Sequence, residues 1–252
     1  HERDKLTAVK AYASNYLKIY FWQGLSILLG FLSMFIVTPY LSSNKSLFGI
    51  YSVCMSVSIF LSYADLGFLG AGQKYAAEEN ARGNLALERR IIGFTGFVLF
   101  IFVSIFALGA AYLGVFPKLL IPSLLDEESR VASILLIILS IAAPITVIQR
   151  VTQIIYSVRI EDFIFQRMVI CGSIAKIASI TLFFRPGKYD IVGYFVFVQV
   201  VNISVALIAL ANANRRYHYD LSLLLKVFRF DRTIFSKTRN LAFNSLFLTL
   251  SW

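Results

Sequence analysis

Apolar residues in this chain gather in long blocks separated by short polar stretches. Six blocks, at about 18–41, 48–72, 91–114, 131–157, 163–184 and 191–212, are each long enough for a helix crossing a bilayer, which takes about 20 residues. A seventh opens near Leu241 and stops after "LAFNSLFLTLSW". No block keeps the period-two alternation that marks the strands of a membrane barrel. The pattern therefore predicts an all-α polytopic membrane protein. It divides into a six-helix lobe over 1–214, a basic amphipathic linker over 215–240, and the start of a second lobe over 241–252. The chain begins with His1 rather than Met and ends inside an apolar run, so it reads as part of a longer protein.

Within the blocks, polar residues recur at helical spacing. Gln23, Ser26, Gly30 and Ser33 share a face of the first block, and Ser58, Ser62 and Asp65 a face of the second. Thr146, Arg150, Gln153 and Ser157 line the fourth, just past Pro144, where a kink is expected. Gln199 and Asn202 lie one turn apart in the sixth. Serines alone are explained by helix packing; the charges need more. Lys176 interrupts "CGSIAKIASITLFF" near its middle, and Arg167 lies toward the start of the same block. A central lysine costs roughly 2.5–3.5 kcal/mol on insertion, and each apolar neighbour returns roughly 0.3–0.6. The two sums nearly cancel, so insertion needs no partner. Gly172, Ser173 and Ser179 put Lys176 on a small, polar face, which predicts that it looks inward. Lining a cavity, a structural salt bridge and snorkelling are the three roles open to it. Arg150 either anchors the interface or binds an anionic head group. Asp65, the lone acid inside a block, either couples an ion or plays a plain role near a helix end before Gly67. "GFLGAG" around Gly67 and Gly72 reads as close helix packing or a break.

Composition agrees with the pattern. Apolar residues make up 58% of the chain and charged ones 15%, against about 25% charged in a soluble domain. The net charge of +10 sits mainly in alternate polar stretches. Lys5, Lys10, Lys74, Arg82, Arg89, Arg90, Arg159 and the run from Arg215 to Arg239 fall on one side, while the other holds only Lys45, Lys118, Arg130, Arg185 and Lys188. The positive-inside rule then places the N-terminus in the cytoplasm. Basic residues so dispersed give no nucleic-acid surface. Two polar segments, 73–90 and 221–240, are amphipathic; both read as solvated connectors, or the second as a helix lying on anionic lipid. Cys54 and Cys171 read as small buried apolar residues. His1 and His218 are the only histidines, both outside the blocks, and there is no nucleotide loop or metal-ligand spacing. An enzyme, a cofactor and a metal are accordingly not expected.

The stretch "IVTPYLSSNKSLFGIYSVCMSVSIFLSYADLGFLGAGQKYAAE", with Pro39, "FGIY" from Phe48 and "ADLGF" from Ala64, resembles the N-terminal region of polysaccharide-biosynthesis flippases of the O-antigen type. These belong to the multidrug/oligosaccharidyl-lipid/polysaccharide exporter superfamily. The resemblance is densest over about the first 90 residues. It implies two six-helix lobes around a central cavity, alternating access, and an undecaprenyl-pyrophosphate-linked oligosaccharide as substrate in a bacterial inner membrane. Implied partners are that lipid-linked oligosaccharide, membrane lipids and polysaccharide polymerase machinery. Cavity candidates are Lys176, Arg150, Gln23, Gln153, Gln199 and Asn202, with Asp65 as the ion-coupling candidate. Three alternatives stand beside this reading. One is a drug/cation antiporter of the same superfamily. Another is a membrane-embedded glycosyl- or acyltransferase using Asp126, Glu127 or Glu128. The third is a scaffold whose polar faces only pack.

Overall fold

The computed structural model describes residues 2–42, 45–62, 67–120, 122, 125–185, 188–219 and 221–250. Nine helices carry the described residues: α1 Glu2–Ser42, α2 Lys45–Ser62, α3 Phe68–Ala81, α4 Leu85–Val115, α5 Asp126–Val158, α6 Asp162–Phe183, α7 Ile191–Tyr217, α8 Leu221–Val227 and α9 Arg232–Leu250. A two-residue antiparallel pairing, Phe184 with Tyr189 and Arg185 with Lys188, lies between α6 and α7.

Local chemistry sets the helix starts. Asn84 caps α4 by accepting from the Leu87 amide at 3.3 Å, after a turn in which Gly83 takes φ 75°. Glu128 reaches back to the Leu125 amide at 3.1 Å, and Asp126, Glu127 and Glu128 put negative charge on the first turn of α5. Asp190 caps α7 by accepting from Gly193 at 2.8 Å, and Arg215 and Arg216 occupy its last turn.

Among the described residues, five helical segments are long and apolar enough to cross a membrane: Ser14–Tyr40, Leu85–Val115, Asp126–Val158, Asp162–Phe183 and Ile191–Tyr217. Large apolar side chains are exposed along them. On α1, Phe21, Leu28 and Phe35 are 65%, 62% and 72% exposed, while Gln23 turns toward the neighbouring helices. Ile174 and Leu182 on α6 and Val200, Leu207 and Ile208 on α7 are likewise exposed. Apolar faces this long are solvated by lipid, not water. The fold is that of an all-α membrane protein.

The second expected crossing, 48–72, is not one helix. Its apolar part in α2 is the shorter Phe48–Ile59, α2 ends at Ser62, and α3 starts after Gly67, which takes φ 79°. The left-handed residue ends any continuous helix at that point. Among the described residues, five helices are thus long and apolar enough to cross, beside the shorter α2 and α3. Gly72 does the packing job: a Cβ there would lie 2.1 Å from Thr95 Oγ1 on α4. The expected boundary at 240/241 falls inside α9, which is continuous from Arg232 to Leu250 and packs on α3.

Neighbours run α1, α6, α7, α5, α4, α3, α9, with α2 against α1 and α5. Two apolar clusters form the interior. One joins α3, α4, α5, α7 and α9 around Phe68, Phe94 and Ile155; the other joins α1, α2, α5, α6 and α7 around Ile50, Leu136 and Tyr194. Tyr156, fully buried, ties α5 to α7: its hydroxyl donates to Ala209 O at 2.9 Å and accepts from Asn212 at 3.0 Å. α5 runs as one helix through Pro144.

Candidate functional site

Leu139 and Ala143 belong to different apolar clusters, yet both border the same polar cavity. This cavity, about 350 Å³, is lined also by Ser58, Thr146, Gln149, Arg150, Gln153, Gln199 and Asn202. A second cavity of about 280 Å³ holds Lys176 with Gly30, Tyr51 and Ser173. The two share Ser58, Gln199 and Asn202, so they adjoin as one polar tract between α1, α2, α5, α6 and α7. The polar stripes read from helical spacing converge here. Arg150, Gln153, Gln199 and Asn202 line the first cavity, and Lys176, Gln199 and Asn202 the second.

The geometry around Lys176 starts one turn earlier. A Cβ on Gly172 would lie 2.8 Å from Val205 and 3.3 Å from Val201, so glycine lets α6 and α7 approach closely. That approach brings Lys176 Nζ to within 3.1 Å of Asn202 Oδ1, to which it donates. Ser179 is buried and donates to the Lys176 carbonyl at 2.7 Å. No described carboxylate pairs with Lys176. Arg150, Gln153 and Gln199 have no hydrogen-bond or ion-pair partner among the described residues. The tract thus presents two cations and unengaged amides, with no acid among the described residues lining it. Two cations and neutral amides suit an anionic, hydroxyl-rich ligand.

Gln23 is placed elsewhere: its amide donates to Asp162 Oδ2 at 3.1 Å, and it lines neither cavity. Asp65 lies outside the described residues. Ser157, at the end of the Arg150 stripe, also turns to Asp162, at 3.2 Å. On the opposite face of α5 is a mainly apolar cavity of about 370 Å³, between Ile92, Ile148, Val151, Leu210, Leu225 and Phe228.

No family model, curated protein or solved structure matches the chain.

One end of the bundle carries a dense ionic network that takes in charges from 73–90 and 221–240, the segments the sequence pattern reads as connectors. Glu88 is 0% exposed, pairs with Arg159 at 2.9 Å and accepts from the Tyr219 hydroxyl. The Arg159 guanidinium stacks over Tyr217 and Tyr219, at 4.8 and 5.1 Å from the ring centroids. Burial, and then the hydrogen bond to Glu88, raise the Tyr219 phenol well above its ordinary pKa. Glu161 takes Arg216 through two hydrogen bonds, at 2.8 and 3.0 Å, and a third from Tyr217. Glu79, also buried, pairs with Arg82 at 3.0 Å and Lys237 at 3.5 Å. Arg90 pairs with Asp231 at 2.5 Å and holds that carboxyl below its usual range. Arg90 and Lys237 thus fasten α9 to α4 and α3.

Two smaller expectations also change. Cys171 is exposed on the outer face of α6, while Cys54 is buried as expected. Asp126 is 97% exposed and pairs with Lys118, and Glu128 caps α5. These are helix-start roles.

Proposed function

We propose that this chain is part of a membrane transporter, a flippase, that moves an undecaprenyl-pyrophosphate-linked oligosaccharide across a bacterial inner membrane, with its N-terminus in the cytoplasm. The observation that carries the reading is the polar tract: Lys176 and Arg150, with Gln153, Gln199 and Asn202, opening between membrane-crossing helices. Cations inside a membrane domain are expensive and mark ligand paths. A pyrophosphate supplies the opposite charge, and sugar hydroxyls suit the amides. The likeness of the 36–78 stretch to O-antigen flippases points to the same class. A drug/cation antiporter fits less well, because the described cavity residues include no acid. A transferase fits less well, because Asp126 pairs with Lys118 and Glu128 accepts from the Leu125 amide at the start of α5.

The full-length protein, reconstituted in proteoliposomes, tests this. It is expected to move a fluorescent polyprenyl-pyrophosphate oligosaccharide between leaflets well above the rate of protein-free vesicles. A rate equal to that of empty vesicles, from folded protein, contradicts the proposal.

A further inference from the structure

Asp162 opens α6 and is 3% exposed. A carboxylate so buried needs compensation. Its partners are all neutral: Gln23 Nε2 from α1 at 3.1 Å, Gln166 Nε2 from α6 at 3.0 Å, and Ser157 Oγ from α5 at 3.2 Å. The basic groups around it are engaged elsewhere. Arg159 pairs with Glu88, Arg216 with Glu161, Arg167 lies over Trp22 and Phe163, and Lys18 lies over Phe163. The neighbouring acid, Glu161, is neutralised by Arg216 and hydrogen-bonded by Tyr217. No described cation lies within ion-pair distance of Asp162 itself.

Each neutral partner is two-faced. A serine hydroxyl carries an oxygen, and each glutamine amide presents either NH2 or oxygen according to a half-turn of its last torsion. With both amides turned, two amide oxygens and one hydroxyl oxygen from three helices would face the carboxylate in place of the donors it now accepts from. Oxygens alone are what a hard metal cation takes. The single negative charge balances a single positive one, whereas a divalent ion is usually held by more carboxylates. The helix ends oppose each other here: the C-terminus of α5 favours a cation and the N-terminus of α6 does not. The carboxylate therefore decides the sign.

We propose that Asp162, Ser157, Gln23 and Gln166 form a binding site for one alkali cation of about the size of sodium. Cation binding would turn the two glutamines and so alter how α1 is held against α5 and α6. Coupling of this site to transport rests on the flippase reading; the binding does not.

Sodium binding to the purified full-length protein tests it, by radioactive sodium in a scintillation proximity assay and by unfolding temperature in sodium chloride against choline chloride at equal ionic strength. Saturable binding and a sodium-specific rise in unfolding temperature are expected. Asp162→Asn should abolish both. Ser157→Ala keeps the carboxylate and should weaken apparent affinity on the order of tenfold; it decides the matter if the Asn variant does not fold. Equal behaviour in both salts overturns the proposal, as does unchanged sodium binding by both variants. A response to pH without one to sodium overturns it too, in favour of a proton. Neither readout involves transport, so failure here and failure of the flippase reading are distinguishable.

Discussion

Lys176→Ala is expected to cut translocation of a pyrophosphate-linked lipid on the order of 30-fold, without loss of folded protein. Removing a buried charge that meets a ligand anion costs at least about 2 kcal/mol, which is about 30-fold in affinity. The variant inserts at least as readily, since a central lysine opposes insertion by roughly 2.5–3.5 kcal/mol. Its structural loss is a single charge-assisted hydrogen bond to Asn202, worth roughly 1.5–3 kcal/mol, which the easier insertion offsets. Lys176→Arg keeps the charge and should retain part of the rate; its planar fork does not match the position of an ammonium held by Asn202. Transport rates are compared at equal amounts of folded protein in proteoliposomes. Full activity of the Ala variant would remove Lys176 from substrate recognition.

The second large effect is on stability. Arg159→Ala leaves Glu88 fully buried without its cation, and one oxygen of Glu88 already lacks a partner. Breaking a buried pair in this way costs about 3–5 kcal/mol. For a chain of this size that lowers the unfolding midpoint by on the order of 10 °C. Glu88→Gln should cost less, because Arg159 keeps the faces of Tyr217 and Tyr219 and the Ile155 carbonyl at 2.9 Å. The order of the two midpoints in thermal unfolding of the detergent-solubilised protein is the check. An Arg159→Ala midpoint at or above that of Glu88→Gln would contradict the account of this network.

What was legible from the sequence was whatever helical periodicity encodes. Gln199 and Asn202, or Arg150 and Gln153, share a face because one turn separates them, and that face meets the cavity. The inward position of Lys176 followed from Gly172 and Ser173 for the same reason. Periodicity is silent where a stripe ends. Gln23 and Ser157 continue polar faces, but their partner is Asp162, which lies beyond the apolar block and carried no signal except its place just before Phe163. Glu88 was hidden similarly: α4 begins at Leu85, six residues before the apolar block, so a charge in a polar stretch was buried by its neighbours. "GFLGAG" left packing and a break both open; the backbone shows both, a left-handed Gly67 before α3 and a close approach at Gly72. Cys171 is exposed although its neighbours are apolar, because in a bilayer an apolar neighbourhood does not mean burial.

The central claim is that the tract around Lys176 and Asn202 receives the substrate, and contact is its most direct measure. A photoreactive residue replaces Val198, which lines the Lys176 cavity, and a control replaces Ile148, in the apolar cavity on the other face of α5. Both full-length variants are irradiated in membranes containing a radiolabelled polyprenyl-pyrophosphate oligosaccharide. Capture of the labelled sugar at 198, suppressed by Lys176→Ala and absent at 148, is the predicted result. Equal capture at both positions, or none at 198 from correctly folded protein, would contradict it.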